Sequence, residues 1–493
     1  MWIESVLANE LRGREHMHHK DGSEWSSGGA SSSQKGYTQE SNFEQAATKA
    51  SFPSHLLGGG ISPDLLKGRV AGRIEKLHLV TRRVLTQEAR ERGITFLDLG
   101  TDSFYPFFKD YTATKHALQA LSAHAYTARW YPSSFGLMQL REEAQRFFAS
   151  RFHVHVDLTR EIMVSAGASQ AFDALSRAFR GEYFLLPALA ISTIHTIAIA
   201  NGAKPLRVPP HPTTGLLDLA AAANLLEQAG RPSIRFMYLN YPHNPTGQIA
   251  SRTFFEELVA FAREFHILLV HDMDSWYLMH HSPNAPLNIL EIKGAKDVAI
   301  TILSFSKEFG IPGIRIGLVA GNAEVINTLR IHNSEYSVML PEPCQYAAIE
   351  ALKNFQDNEE RKNLSQSITE VLQLSIEAWQ RLGWPAEKIY PPHAGYKYLL
   401  AVPPAFKQIG EVSGAELFDF YIAKYAYVKL STSRAFNEEN SDYIRVILMQ
   451  EKAIMEEVFK RLSQLGIHYD MEMPPHLPDI YASTLQNIDL ANL

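Results

Sequence analysis

The sequence predicts an α/β fold in which a large domain with a mainly parallel, mixed sheet is joined to a smaller α+β domain. Three observations predict it. Short apolar segments alternate with stretches of helical spacing through the middle of the chain, a long helical pattern follows, and further strand-like segments come after it. With 493 residues, of which 45% are apolar and 20% charged, the chain is long enough to bury a sizeable core.

The predicted strands of the alternating region are short, apolar and bounded by turn residues. They lie at 94–99, 161–165, 233–239, 266–270 and 298–303. Between them, apolar residues recur at helical spacing at 138–151, from 170 onward and at 254–265. Because strands that alternate with helices are usually joined by crossover connections, this order favours a parallel sheet.

A long helical pattern at 359–382 leaves this layer, and strands predicted at 396–400 and 443–448 then build the smaller domain. The first sixty residues are too polar and too rich in glycine and serine to bury a core. Three prolines predict an irregular, peripheral tail at the other end. The expected divisions are a disordered polar region at 1–60, an N-terminal arm with a small-domain segment at 61–105, the large domain at 106–355, the small domain at 356–470 and the tail at 471–493.

Composition excludes several classes of partner. The net charge of −6 provides no basic field for nucleic acid or an anionic membrane. Residues 183–203 carry no Asp, Glu, Lys or Arg, but Pro187 and several polar side chains favour a buried strand and helix over a membrane span. The single cysteine, Cys344, excludes an intrachain disulfide and favours a reducing compartment, which we take to be the cytoplasm. No metal site is predicted.

The segment 304–317 carries the strongest chemical signal, Ser-Phe-Ser-Lys-Glu-Phe-Gly-Ile-Pro-Gly-Ile-Arg-Ile-Gly. Lys307 follows a predicted buried strand. A lysine amine becomes nucleophilic when burial or neighbouring cations lower its pKa, and forming a Schiff base with an aldehyde is one use of such a group. Ser304, Ser306 and Arg315 could donate to a dianionic phosphate nearby. Taken alone, Ser-Xaa-Ser-Lys would still favour an ordinary surface loop.

Three other segments accompany it in a fixed order. They are Tyr-Pro-Ser-Ser-Phe-Gly-Leu-Met-Gln-Leu-Arg at 131–141, Val-Ser-Ala-Gly-Ala-Ser-Gln-Ala-Phe at 164–172 and Asn-Tyr-Pro-His-Asn-Pro-Thr-Gly at 240–247. Together with 304–317 they resemble the signatures of the class I/II, aspartate-aminotransferase-like family of fold-type I enzymes that depend on pyridoxal 5′-phosphate. The resemblance covers roughly residues 90 to 465.

The resemblance implies how the cofactor is held. Lys307 would form the Schiff base and then move the substrate proton. Donors for the phosphate would be the backbone N–H groups at the start of a helix, two hydroxyls and a guanidinium: Gly167, Ala168, Ser169, Ser304, Ser306 and Arg315. Tyr131 would reach the phosphate of a partner subunit, because the active sites of this family lie at a dimer interface. A homodimer is therefore expected.

The cofactor ring needs polar partners as well. Asn244 would donate to its phenolic oxygen. A carboxylate must face the pyridine nitrogen, and Asp272 is preferred to Asp274 because its interval from Asn244 matches the family. The family tyrosine that follows this carboxylate corresponds to Tyr277 if counted from Asp274, whereas counting from Asp272 leads to Ser275. The sequence leaves this choice open.

Arg445, on a predicted strand, matches the family arginine that binds the substrate α-carboxylate, and Gly100 resembles a glycine near that carboxylate. One position departs from the family. The aromatic residue that stacks on the cofactor ring corresponds to Leu189, and His195 is the nearest polar ring. Either Leu189 covers the ring by apolar contact, or the pocket has been rebuilt for different chemistry.

The resemblance therefore predicts transamination between an L-amino acid and a 2-oxo acid. The alternative is a non-transaminating enzyme of the same fold, catalysing β- or γ-elimination or replacement, or cyclising an amino-acid side chain. A regulatory, DNA-binding relative is disfavoured, because the first sixty residues are too polar to form a helix-turn-helix.

Overall fold

The computed structural model describes residues 84–100, 111–230, 233–275, 287–336, 339–355, 359–410, 412–432, 436 and 442–486. All of them belong to a compact unit at Val70–Leu493. A second unit, Met1–Arg69, lies outside the described residues, and so does the polar region predicted at 1–60.

The strands of the described chain are numbered in order. They are β1 (Leu97–Asp98), β2 (Ile162–Ser165), β3 (Tyr183–Pro187), β4 (Lys204–Val208), β5 (Ile234–Asn240), β6 (Leu269–Met273), β7 (Ala299–Ser304), β8 (Gly317–Gly321), β9 (Ile389–Tyr390), β10 (Lys397–Ala401), β11 (Val428–Lys429), β12 (Ser431–Thr432) and β13 (Tyr443–Ile447).

The helices are numbered in the same way. They are α1 (Thr112–Ala123), α2 (Met138–Phe152), α3 (Gly167–Ala178), α4 (Ser192–Ala200), α5 (Leu219–Gln228), α6 (Arg252–Glu264), α7 (Phe305–Glu308), α8 (Ala323–Glu335), α9 (Glu342–Lys353), α10 (Glu359–Arg381), α11 (Gly414–Tyr425), α12 (Lys452–Gln464) and α13 (Leu477–Gln486). Residues 84–91 are also helical.

The large sheet has seven strands in the order β2-β8-β7-β6-β5-β3-β4. Its pairs from β7 to β4 are parallel, and only β8 runs antiparallel to its neighbours β2 and β7. The sheet is therefore mixed and mainly parallel, as predicted. Strands β2, β6, β7 and β8 are buried along their whole length because both faces of the sheet are covered there. Alternate residues pack into two separate apolar clusters, Leu303 into one and Ile302 into the other.

A smaller, four-stranded antiparallel sheet has the order β12-β13-β10-β9. One of its faces packs on α10, where the indole N–H of Trp379 donates to the hydroxyl of Tyr398 across 2.8 Å. Beside it, β1 pairs with β11 in a two-stranded parallel sheet. The α/β fold with a large mixed sheet and a smaller α+β part is confirmed, while the predicted domain boundaries stay predictions.

Several elements differ from their predicted limits. The charge-free stretch at 183–203 forms β3 and α4, and in the described part of the chain no helix has the length and apolarity to cross a membrane. Strand β6 starts at Leu269 and not at 266, because His266 has a left-handed backbone (φ 54°) that ends the turn after α6. Helix α3 starts at Gly167 and not at 170.

The tail departs most clearly from its prediction. Residues 477–486 form helix α13, and Leu477 and Tyr481 are buried in the main apolar cluster. The expectation of an irregular, peripheral segment was wrong there, because Pro478 falls in the first helical turn. A proline is tolerated at that point, since the first N–H groups have no partner within the helix.

Candidate active site

One edge of the large sheet collects the predicted site residues. The carboxyl ends of the parallel strands β5, β6 and β7 bring Asn240, Asp272 and Ser304 to it. Gly317, at the start of β8, pairs with both Ser304 and Ser165, so the end of β2 reaches the same edge. In α/β sheets, ligands bind outside the carboxyl ends of the strands.

Asp272 is the penultimate residue of β6 and is 1% exposed. It lies inside the strand, whereas the sequence suggested a position just after it. One oxygen, Oδ2, accepts a hydrogen bond from the hydroxyl of Tyr238 across 3.0 Å. The other, Oδ1, is buried and has no donor among the described residues. A buried carboxylate oxygen without a donor is costly, so this atom is suited to a cationic N–H partner.

Burial raises the pKa of Asp272 well above its ordinary value, and the negative charge of Asp274 adds to the rise. The Tyr238 hydroxyl and the positive charge of Lys397 act in the opposite direction. Asp274 is half-buried, and its Oδ1 accepts a long, 3.4 Å hydrogen bond from the side-chain amide of Asn240. Of the two carboxylates, Asp272 is the one held inside the sheet edge.

The start of α3 forms a cradle next to Arg315. Gly167 has a left-handed backbone (φ 78°), and a Cβ atom placed there would lie only 2.8 Å from Nη2 of Arg315. A Cβ at Gly317 would similarly lie 2.9 Å from Oγ of Ser165. Because residues 167 and 317 are glycines, Arg315 and the end of β2 can lie close to the start of α3. The first N–H groups of a helix attract anions.

Lys307 lies in α7, a single turn that follows β7 directly, and it is half-buried. Oγ of Ser304 caps this turn by accepting from the backbone N–H of Ser306 across 3.2 Å. The hydroxyl of Thr114 in α1 donates to the carbonyl of Phe309 across 2.6 Å. The short turn that carries the lysine is therefore fixed at both ends.

A buried ion pair is formed by the residue that follows Lys307 in the chain. Glu308 is fully buried and contacts the guanidinium of Arg361 in α10 at 3.4 Å. Arg361 also donates to the hydroxyl of Tyr111 across 2.7 Å and stacks over the ring of Phe355 at 3.8 Å. Since both charges are removed from water, each depends on the other for compensation.

Arg445, Asn244 and Gly100 come together although they are far apart in the sequence. Nη2 of Arg445 donates to the carbonyl of Gly100 across 3.0 Å and to Oγ of Ser431 across 2.8 Å. Its Nη1 donates to Oδ1 of Asn244 across 3.1 Å. Its Nε is buried without a hydrogen-bond partner among the described residues. A Cβ at Gly100 would lie 2.6 Å from the carbonyl of Leu430, so only glycine fits there.

Leu189 is held in place by His243. Nε2 of the histidine lies 2.9 Å from the Leu189 carbonyl, and its Nδ1 lies 2.8 Å from Oγ1 of Thr246. A carbonyl can only accept, so Nε2 carries the proton. Burial lowers the pKa of His243 to about 4, and the ring is neutral at pH 7. His195 lies on α4, 3.5 Å from the guanidinium of Arg207.

Two predicted site residues are not brought into this group. Tyr131 is 93% exposed on the surface, and its role toward another subunit stays a prediction. Tyr277 lies outside the described residues, as do 276–286 as a whole. In the described part of the chain, no cluster of three or more His, Cys, Asp or Glu side chains could hold a metal ion.

Sequence reasoning missed several residues of the site. Tyr238 could have been found, because it is two residues from Asn240 on a predicted strand and so shares its face. Glu308 is a carboxylate that directly follows Lys307 and precedes Phe309, which is also a local signal. Ser431 and Lys397 carry no such signal, because only the pairing of distant strands brings them to the site.

The donor set fits pyridoxal phosphate. The buried Oδ1 of Asp272 has no donor among the described residues and could accept from a cationic N–H group. The start of α3 beside Arg315 suits a phosphate, and Lys307 lies on the fixed turn that follows β7. When bound, this cofactor supplies an aldehyde for an amine and a ring that withdraws electrons from the substrate.

Comparisons with known proteins agree with this arrangement. Residues 96–458 match the model of the family aminotransferase class I and II. The LL-diaminopimelate aminotransferase of Moorella thermoacetica is 27% identical over 384 residues, which cover 77% of this chain and 93% of that protein. Its counterpart from Desulforudis audaxviator is 31% identical over 335 residues, with coverage of 67% and 81%.

Among solved structures, substrate-bound BacF from Bacillus subtilis matches with a TM-score of 0.70. It is 21% identical and covers 85% of this chain and 98% of its own, so it supports the fold. The curated relatives are aminotransferases and do not favour the non-transaminating alternative. This chain belongs to the class I and II aminotransferases, enzymes that depend on pyridoxal phosphate.

Proposed function

We propose that the protein transfers an amino group between an L-amino acid and a 2-oxo acid, with pyridoxal phosphate bound as a Schiff base to Lys307. The observation that carries the proposal is the buried Oδ1 of Asp272, which has no donor among the described residues at the edge where α7 presents Lys307. An ionised carboxylate at this atom would keep the pyridine nitrogen protonated.

The other residues have roles that follow from their contacts. Gly167, Ala168 and Ser169 would meet the phosphate with backbone N–H groups, next to Arg315. Ser304 and Ser306 would complete that site. The proposed cover of the ring is Leu189, since His243 holds its carbonyl in place.

The substrate carboxylate would bind to Arg445, whose Nε is a buried donor. Asn244 supports the same orientation. A guanidinium can only donate, so its contact fixes Oδ1 of Asn244 as the acceptor and leaves the amide N–H groups for the phenolic oxygen of the cofactor.

A homodimer is part of the proposal. Exposed aromatic and apolar side chains lie close to Tyr131 in the sequence, and exposed apolar side chains that group on a surface mark interaction sites. They are Tyr126, Trp130, Phe135 and Met138. We also propose a cytoplasmic location, on the basis of the single cysteine.

Spectroscopy of the protein loaded with pyridoxal phosphate tests the reaction. Addition of a substrate amino acid should shift the cofactor absorbance to shorter wavelength as the amino form accumulates, and a 2-oxo acid should reverse the shift. Release of ammonia without that reversible shift would overturn transamination in favour of elimination.

A further inference from the structure

A buried ion pair in the smaller α+β part has no role in the proposed function. Asp419 on α11 and Lys429 on β11 are 4% and 6% exposed, and Nζ of Lys429 lies 2.6 Å from Oδ2 of Asp419. The other oxygen, Oδ1, accepts from the backbone N–H of Leu430 across 2.8 Å. The carboxylate of Asp419 thus binds two consecutive residues of the chain.

Stability alone does not account for this pair. Burial raises the pKa of Asp419, whereas the charge of Lys429 and the N–H of Leu430 lower it, and the negative charge of Asp98 adds to the rise. Apolar side chains of similar volume often stabilise a fold as well as a buried ion pair does, or better. What the pair fixes is the segment of chain that carries Lys429 and Leu430.

This segment packs closely against the chain that follows β1. The backbone N–H of Leu99 donates to the carbonyl of Lys429 across 2.8 Å. A Cβ atom at Gly100 would lie 2.6 Å from the carbonyl oxygen of Leu430 and 3.2 Å from the backbone nitrogen of Ser431. Because protein interiors are close-packed, a shift of residues 429–431 would displace Gly100 as well.

Gly100 and Ser431 in turn hold Arg445. Oγ of Ser431 donates to the Gly100 carbonyl across 2.5 Å and accepts from Nη2 of Arg445 across 2.8 Å. The same Nη2 donates to the Gly100 carbonyl across 3.0 Å. Two hydrogen bonds of the guanidinium therefore end on residues whose positions depend on the segment that Asp419 binds.

We propose that Asp419 is a positioning residue, which holds residues 429–431 so that Ser431 and Gly100 orient Arg445 toward the substrate α-carboxylate. The inference rests on the proposed function, in which Arg445 binds that carboxylate. Asp419 itself touches neither substrate nor cofactor. It acts through the N–H of Leu430, and Lys429 compensates its charge.

Two double variants test this role, and both avoid the lone buried charge that a single substitution would leave. The acceptor-keeping variant is Asp419→Asn with Lys429→Met, in which the amide oxygen can still accept from the Leu430 N–H. The acceptor-free variant is Asp419→Leu with Lys429→Met.

Steady-state kinetics with the amino acid give the first readout. A misdirected guanidinium weakens the binding of substrate and transition state alike, so in the acceptor-free variant KM should rise roughly 10-fold while kcat stays within about threefold of the wild type. The acceptor-keeping variant should stay within about threefold of the wild type in both constants. A purely structural role would lower stability without this rise in KM.

Labelling of arginines with phenylglyoxal, followed by peptide mass mapping, gives a second readout that needs no turnover. Arg445 should be modified several-fold faster in the acceptor-free variant than in the wild type or the acceptor-keeping variant, because its guanidinium loses its fixed acceptors. Arg263, which pairs with Asp297 in the large domain, should react at the same rate in all three proteins.

The same KM and the same labelling rate of Arg445 in the two double variants would overturn the role of Asp419. Faster labelling of Arg445 in the acceptor-free variant, when the wild type does not transaminate, would instead overturn the proposed function and leave the control of Arg445 by Asp419 standing.

Discussion

Nη1 of Arg445 donates to Oδ1 of Asn244 across 3.1 Å, although 201 positions separate the two residues in the chain. The contact ties β13 of the small sheet to the loop that follows β5 of the large sheet. The Nε–H group of Arg445 has no hydrogen-bond acceptor among the described residues and could donate to a ligand. The residue proposed to hold the substrate is thus oriented by a residue proposed to hold the cofactor.

The first prediction concerns this guanidinium. Arg445→Lys keeps the charge but loses the planar, two-pronged donor geometry, so KM for the amino acid should rise about 10- to 100-fold. Arg461→Lys, at a partly buried arginine that bonds to Glu457, should change KM less than about twofold. Steady-state kinetics of the two variants measure KM for the amino acid. An unchanged KM in Arg445→Lys would mean that the substrate α-carboxylate binds elsewhere.

The second prediction separates the two carboxylates at the end of β6. Asp272→Asn removes the charge that we propose faces the pyridine nitrogen and should lower kcat roughly 100-fold or more, as expected when one partner of a buried charge pair is removed. Asp274→Asn is the matched control and should cost much less, because Asp274 is half-buried. The reverse order would move the pyridine contact to Asp274.

The third prediction concerns the buried ion pair between Glu308 and Arg361. Breaking a buried pair leaves an uncompensated charge, so Glu308→Leu and Arg361→Met should each lower the free energy of unfolding by roughly 3–5 kcal/mol. The double variant should lose clearly less than the sum, because no lone charge remains. Urea unfolding of the three variants measures this coupling. Strictly additive losses would show that Glu308 and Arg361 do not depend on each other.

The fourth prediction is a pH dependence of stability. Burial lowers the pKa of both His243 and His271 to about 4 in the folded protein, from 6.5 when unfolded. Their neutral forms therefore stabilise the fold fully above pH 6.5, and this stability is lost as the pH falls from 6.5 towards 4.

His243→Gln keeps a donor for the Leu189 carbonyl but does not titrate. Between pH 6 and pH 4.5 it should reduce the slope of unfolding free energy against pH by about 1.4 kcal/mol per pH unit, which corresponds to one proton. His116→Gln, at an exposed position on α1, should leave the slope unchanged. A slope that stays the same in His243→Gln would mean that this ring is not the titrating group.

The fold was largely predictable because strand and helix periods are local properties of the chain. The errors came where one residue reset the backbone. Gly167 starts α3 early through its left-handed conformation, and His266 delays β6 for the same reason. The tail was misjudged because a proline was counted as a helix breaker without regard to its position in the first turn.

The candidate site was predictable where it lies within continuous motifs, as around Lys307 and Asn244. It was not predictable where strand pairing creates it. Ser431 meets Arg445, and Lys397 joins the same face, only through the register of β12, β13 and β10. The Glu308–Arg361 pair spans 53 positions and follows from the packing of α10 against α7.

The central claim is a Schiff base at Lys307, and its most direct test is borohydride reduction of the protein loaded with pyridoxal phosphate, followed by peptide mass mapping. We expect one reduced pyridoxyl adduct, on the peptide that contains Lys307, and loss of both the adduct and the cofactor absorbance band in Lys307→Ala. An unmodified Lys307 with the adduct on another lysine, such as Lys397, would contradict it.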